Sequence, residues 1–559
     1  MQKTWWKKAV VYQIYPKSFL DTTGNGIGDL AGITRQLDYL QKLGVDVIWL
    51  TPIYASPQKD NGYDISDYYT INPEYGTMES FEDLLHEAHQ RNIKLIMDIV
   101  VNHTSIEHEW FKQARSSKDN PYRDYYIWKD GVDGNPPTNW QSKFGGNAWE
   151  WDEQTGQYYL HLYDVTQADL NWENPRLRRE IYDMMHFWLK KGVDGFRLDV
   201  INVISKDQSF QNDTLQSPME DGRRFYTDGP RIHEYLKEMN EQVFSHYPQI
   251  LTVGEMSSTT IDNCIRYTNP DEKELSMVFN FHHLKVDYPS GQKWAAGELD
   301  FGKLKSILNE WQVGMQAGEG WNALFWCNHD QPRVVTRFGD DQKYHKESAK
   351  MLGTALHFMQ GTPYIYQGEE FGMTDPGFSR IEEYRDVETI NAYHLLQETG
   401  ISEQEIMKAI KQKSRDNSRT PMQWMDAPNG GFTAGTPWIH VANNYPSINA
   451  QRAQEDQDSI WYHYQKLIQL RKKHDVIAYG DFTMLYPEHP QIYAYVRQYG
   501  AESLVVVNNF YAEPTEFVLP KEIAQKAHME VILTNYPDVP ATLDKFTLRP
   551  YESLAIVIK

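Results

Sequence analysis

A chain of 559 residues with 40% hydrophobic and 13% aromatic content can bury a sizeable core, which excludes an intrinsically disordered protein. Its formal net charge of −22 excludes broad nucleic-acid or membrane-surface binding, since both ask for basic faces. An anionic ligand would therefore have to be held by a local cationic pocket. Two cysteines, Cys264 and Cys327, suggest no disulfide framework, and no apolar run reaches membrane-spanning length. The opening MQKTWWKKAVVYQIYP lacks a secretory pattern, so the expected compartment is the cytoplasm. A monomer is the simplest expectation, with neither nucleic acid nor membrane as partner.

In chain order, β-branched or aromatic runs alternate with amphipathic stretches. The runs are AVVYQIYP, VDVIWLTP, KLIMDIVVNH, VDGFRLDV, ILTVGEM, MVFNF, NALFWCNHD and TPYIYQGEE; the stretches between include GITRQLDYLQKLG and FEDLLHEAHQRN. Buried parallel strands alternating with helices predict an α/β fold, and eight units predict a closed (β/α)8 TIM barrel. Between the first two runs, DTTGNGIGD sets Asp21, Thr23, Asn25, the Ile27 carbonyl and Asp29 on alternate positions with glycines between. Oxygen ligands spaced this way can wrap a hard cation, so a structural Ca²⁺ is one expectation and a bare glycine-rich turn the other.

After the third run the pattern lapses. Residues 104–173 are rich in Trp, Tyr, Gly and Asn and read as a small inserted domain. The barrel then spans 1–103 and 174–475. From 476 to 559 short alternating strands (QIYAYVRQYG, SLVVVNNF, MEVILTN, SLAIVIK) predict a C-terminal antiparallel β-domain, a sandwich.

In a barrel of this kind chemistry sits at the C-terminal ends of the strands. Those ends carry Asp98, Asn102 and His103 (third), Arg197 and Asp199 (fourth), Glu255 (fifth), and His329 with Asp330 (seventh). In FRLDV the arginine and aspartate are two apart and share a face, so the guanidinium is expected to keep Asp199 ionised. Glu255 follows the apolar Thr-Val-Gly approach, which would favour its acid form. Three carboxylates from three strand ends suit glycoside hydrolysis, which needs one to attack and one to protonate the leaving oxygen. That chemistry requires no cofactor.

The motifs DIVVNH, GFRLDV, GEM and CNHD, in this order, make the whole chain resemble the α-amylase-type glycoside hydrolases. The resemblance implies a barrel with an inserted domain and a C-terminal β-domain. It also implies Asp199 as nucleophile, Glu255 as acid/base and Asp330 as the group stabilising the distorted sugar. His103, His329, Arg197, Asp60 and Tyr63 would line the sugar site, Arg415 would stand close by, and the anomeric configuration would be retained. QADLNWENP (167–175), RTPMQW (419–424) and Val200 resemble the oligo-1,6-glucosidase branch. Two substrates stay open within it, an unphosphorylated α-1,6-glucoside and a phosphorylated disaccharide. KSFLDTTGNGIGDL, DGRRFYTDGPRIHEYL and FNFHHLKVDYP resemble the members that take the second. At the sixth strand exit, His282 stands where the branch usually has an acid, and Lys285 and Lys293 follow. Lysines here would suit a phosphate monoester of about −1.5 to −2 charge, with Arg223 or Arg224 as further candidates.

Overall fold

The computed structural model describes residues 3–214, 221–524 and 528–559. Eight short parallel strands form its centre: β1 (Val11–Ile14), β2 (Val47–Leu50), β3 (Lys94–Ile99), β4 (Gly195–Leu198), β5 (Leu251–Glu255), β6 (Met277–Phe279), β7 (Ala323–Leu324) and β8 (Thr362–Tyr366). They are the eight runs read from the sequence, and nearly every residue in them is buried because helices cover the outside while side chains fill the inside. The strands neighbour one another in the order β6-β5-β4-β3-β2-β1-β8-β7. A parallel bridge between Val278 and Asn322 brings β6 against the β7 end and closes the ring. Gly195 allows β4 to approach β5: its φ is +145°, and a Cβ there would sit 1.9 Å from the Leu251 carbonyl oxygen.

Inside the ring, Trp49, Phe279 and Tyr364 pack edge-on or tilted, with ring centroids 4.5–6.1 Å apart, and make an apolar floor. The helices begin where local chemistry provides a cap. Thr77 and Ser80 form a capping box for Met78–Gln90, and Asn174 caps Pro175–Lys190, whose first-turn proline needs no N–H partner. GITRQLDYLQKLG folds as two helices, Leu30–Arg35 and Leu37–Leu43, and the second ends at Gly44 in the left-handed region.

Between β3 and the helix Pro175–Lys190 the chain leaves the barrel. His103–Ser105 pairs antiparallel with Gln167–Asp169, and between them lie the helix Glu109–Ser116 and a three-stranded sheet ordered Trp128–Lys129, Gln157–Leu160, Trp149–Asp152. Seven C-terminal strands follow: β9 (Asp481–Leu485), β10 (Ile492–Tyr499), β11 (Glu502–Asn509), β12 (Thr515–Val518), β13 (Met529–Thr534), β14 (Lys545–Leu548) and β15 (Ser553–Ile558). Five form an antiparallel sheet ordered β9-β10-β11-β15-β13, and β12 pairs with β14. The buried Arg497 fastens this sheet to the barrel by donating to the carbonyl of Phe358, and to the preceding segment through those of Ile477 and Gly480, while Tyr495 donates to Ala355.

Candidate active site

The register of β3 and β4 sets Arg197 beside Asp98, and from there one guanidinium reaches three acids. Arg197 Nη1 donates to Asp98 Oδ1 at 2.9 Å and to Asp199 Oδ1 at 2.6 Å, and Nη2 donates to Glu255 Oε2 at 2.6 Å. The guanidinium is buried, with its carbon 5.0 Å from the Trp49 ring centre. Asp98 is further held by Trp49 Nε1 and the Tyr63 hydroxyl, and burial pushes its carboxyl up to about 6 against the pull of Arg197.

Asp199 differs from expectation in one respect. Its guanidinium neighbour is present, yet burial pushes the carboxyl up, Arg197 opposes this, and the charges of Glu255 and Asp98 reinforce it. One positive charge shared among three carboxylates leaves Asp199 only partly compensated, which is why burial wins there. The two carboxyl groups are bridged by the Arg197 guanidinium. Val200 completes the turn with φ of +36°, an unfavourable backbone for a β-branched residue, and its N–H donates to Glu255 Oε2 at 3.1 Å.

Across the pocket Asp330 accepts from Arg419 Nη2 at 2.6 Å and faces Arg415 Nη1 at 3.5 Å. Burial alone would push Asp330 up; the neighbouring His329 and the guanidiniums of Arg415, Arg419 and Arg197 outweigh it and hold the carboxyl well below the usual range. Arg415 is itself anchored, donating from Nη2 to Asp60 at 2.8 Å and from Nη2 and Nε to Asp386 at 2.5 and 2.9 Å. Asp60 also accepts from Gln167, which ties the inserted segment to this network. Burial drives the His103 imidazole down to about 4 and that of His329 down to about 3, so both rings are neutral. Gln13 Nε2 lies 2.7 Å from His329 Nδ1, which leaves the other ring nitrogen to carry the hydrogen towards Asp330 at 3.4 Å. Tyr63 stacks on the His329 ring at 5.1 Å.

Asp60, Tyr63, His103, Asp199, Glu255, Asp330 and Arg415 thus face one cavity of about 330 Å³, with Arg197 beneath its acids and His329 behind Tyr63. The same cavity is also lined by four cations, Lys143, Arg223, Lys285 and Lys293. Lys285 follows the short 3-10 turn His282–Leu284 and has no carboxylate partner among the described residues. Burial, with the like charges of Arg223 and Lys293, brings it down to about 8. Lys293 is neutralised: its Nζ sits 2.6 and 2.7 Å from the two oxygens of Glu388. Arg223 leans on Asp221 and Arg224 pairs with Asp213, away from the cavity lining. His282 packs on Trp311, and His283 bonds the Phe325 carbonyl at 2.8 Å, so both support the turn. Sequence reasoning missed Lys143, Asp386, Gln13 and Arg419 as participants. Arg419 and Gln167 lay within quoted motifs, whereas Lys143 had no signal beyond its aromatic surroundings.

In the loop at 21–29, where a cation cage is one expectation, the acidic side chains bond the loop itself. Asp21 accepts from the N–H groups of Thr23, Gly24 and Gly26 and from the Thr433 hydroxyl; Asp29 accepts from Thr22 and caps the next helix through Gly32. Asn25 Oδ1 accepts from Ile27 N. Two carboxylates already supplied with donors do not fit a cation that takes 6–8 oxygens. Among the described residues no group of three or more His, Cys, Asp or Glu could hold a metal ion.

Residues 13–480 match the family model described as alpha amylase, catalytic domain, and residues 492–555 match that of the alpha-amylase SusG C-terminal domain. With the barrel and its three strand-end acids, this makes the chain a member of the α-amylase family, a glycoside hydrolase. Within the family it is 64% identical over 555 residues to a trehalose-6-phosphate hydrolase of Bacillus subtilis, covering 99% of this chain and 98% of that one. It is 54% identical over 563 residues to an oligo-1,6-glucosidase of Parageobacillus thermoglucosidasius, with full coverage of both. A crystal structure of Bacillus licheniformis trehalose-6-phosphate hydrolase superposes with a TM-score of 0.95 at 63% identity over the whole of both chains.

Proposed function

We propose that this enzyme is a retaining α-glucosidase that hydrolyses trehalose 6-phosphate to glucose and glucose 6-phosphate. The observation that carries the substrate is the cluster of cations lining the same cavity as the acids, with Lys285 unpaired, in a protein of net charge −22. A neutral disaccharide gives a half-buried, unpaired lysine nothing to do, whereas a sugar phosphate supplies the missing charge. The relatives named for trehalose 6-phosphate support the same reading.

In the first step Asp199 attacks the anomeric carbon of the unphosphorylated glucose as Glu255 gives its proton to the glycosidic oxygen, releasing glucose 6-phosphate. Water then enters, Glu255 takes one of its protons, and the oxygen displaces Asp199 with net retention. Asp330, kept ionised by Arg419 and Arg415, binds sugar hydroxyls, and Arg415 holds Asp60 for the same purpose. The neutral rings of His103 and His329 offer hydrogen bonds without adding charge where the oxocarbenium develops. No helix among the described residues is long and apolar enough to cross a membrane. A sugar phosphate crosses a bilayer only at high cost, so enzyme and substrate would share the cytoplasm.

The test is kcat/KM for trehalose 6-phosphate, trehalose and isomaltose side by side, with the anomer of released glucose followed by NMR. Preference for the phosphorylated sugar with α-glucose formed first is expected. Preference for isomaltose would replace this reading with that of an oligo-1,6-glucosidase.

A further inference from the structure

Lys143 comes from the inserted domain, yet it lines the barrel's cavity. Its backbone is fixed on both sides: its N–H donates to the Leu162 carbonyl at 2.8 Å, and Ser142 Oγ donates to the Tyr163 carbonyl at 2.6 Å. The next residue, Phe144, lies under the Arg415 guanidinium at 4.8 Å, and its carbonyl accepts from Asn391 at 3.3 Å. The side chain is thus delivered from a rigid hairpin. Its Nζ ends 3.3 Å from Ser257 Oγ, two residues past Glu255. Because Glu255 would protonate the departing oxygen, the ground beside Ser257 belongs to the leaving sugar.

The charges around that point are unequal. Arg223 is occupied by Asp221 and Lys293 by Glu388. Lys143 and Lys285 pair with no carboxylate among the described residues. Two unpaired ammonium groups lining one cavity repel each other and are costly to desolvate, as the drop of Lys143 to about 7 through burial, Arg223 and Lys285 reflects. A phosphate monoester brings about −2 charge at neutral pH, which matches two free ammonium groups.

We propose that Lys143 contacts the phosphate of the leaving sugar directly, so that the inserted domain and the β6 exit grip it from opposite sides. This rests on the reading of the substrate as a sugar phosphate. It makes the inserted domain a specificity element and Lys143 and Lys285 two halves of one anion site.

The experiment compares trehalose 6-phosphate with p-nitrophenyl α-glucoside in wild type, Lys143→Ala and Lys143→Arg. The ratio of kcat/KM for the phosphorylated over the aryl substrate should fall about 10- to 100-fold in Lys143→Ala, mainly through KM, and largely recover in Lys143→Arg. Inhibition of aryl-glucoside hydrolysis by glucose 6-phosphate should weaken by a similar factor, while inhibition by glucose serves as the reference. An unchanged ratio, or both substrates falling equally, overturns the assignment. A wild type that neither cleaves trehalose 6-phosphate nor is inhibited by glucose 6-phosphate overturns the substrate reading as well. A wild type that does both, beside an equally selective Lys143→Ala, removes Lys143 alone.

Discussion

Asp199 and Glu255 are held by opposite nitrogens of a single guanidinium, each at 2.6 Å. Their roles nevertheless separate by leaving group. Asp199→Asn should abolish turnover of every substrate with the fold intact by circular dichroism. Glu255→Gln should lose far more activity on a disaccharide than on an aryl glucoside, whose leaving group needs little protonation. Equal losses on both substrates would show that Glu255 is not the acid.

Removing the shared guanidinium tests the same cluster electrostatically. Arg197→Gln leaves three buried carboxylates without their cation, the kind of broken pair that costs about 3–5 kcal/mol. Loss of the positive charge also makes the acids harder to ionise. The melting temperature should fall, and the acid limb of the pH–rate profile should move to higher pH. A limb that stays in place would mean that Arg197 does not set the ionisation of Asp199.

The two lysines named at the β6 exit should differ. Lys285 has its charge free, and Lys293 spends its own on Glu388. Lys285→Ala should therefore cut kcat/KM for trehalose 6-phosphate by about 10-fold or more, and Lys293→Ala by less. A larger loss at Lys293 would show that Glu388 releases it when phosphate binds.

Phosphate binding should also fade with alkali. Lys143 at about 7 and Lys285 at about 8 are charged below those values and lose charge as pH rises through them. The phosphate gains its second charge above about pH 6. Binding is thus tightest near neutrality, and KM for the phosphorylated substrate should climb about 10-fold towards pH 9. KM for the aryl glucoside, measured in parallel, lacks this dependence. Identical pH profiles for the two would remove the lysines from substrate binding.

The Gly-rich loop makes a contrary prediction for calcium. Its carboxylates are already bonded to the loop itself, so a chelator should leave the melting temperature unchanged. Asp21→Ala, which strips Thr23, Gly24, Gly26 and Thr433 of their acceptor, should lower it. A drop on chelation alone would mean that the loop rearranges around a cation, since a ligand bound only to the folded state stabilises it.

The barrel could be read in advance because each strand is buried on both faces and so shows as an unbroken apolar run, as in KLIMDIVV and ILTVG. Asp98, Asp199, Glu255 and Asp330 were visible because a strand end in such a barrel is a fixed address. The pairing of charges was not visible. Glu388 stands 95 residues from Lys293, and Asp386 stands 29 from Arg415. No local pattern says which lysine stays free. Lys143 was hidden for the same reason: an irregular domain has no period from which to infer the direction of a side chain.

The Arg497 clasp makes the C-terminal sheet a fixture of the enzyme. Its guanidinium is the partner of three carbonyls, that of Phe358 in the barrel and those of Ile477 and Gly480 in the segment that leads into the sheet. A chain stopped at residue 480 would strand those oxygens and uncover the apolar ground beneath Tyr493, Tyr495 and Phe510. Catalytic barrel and sheet should therefore melt in one transition, and shortening the protein from this end would sacrifice the hydrolase along with its appendage.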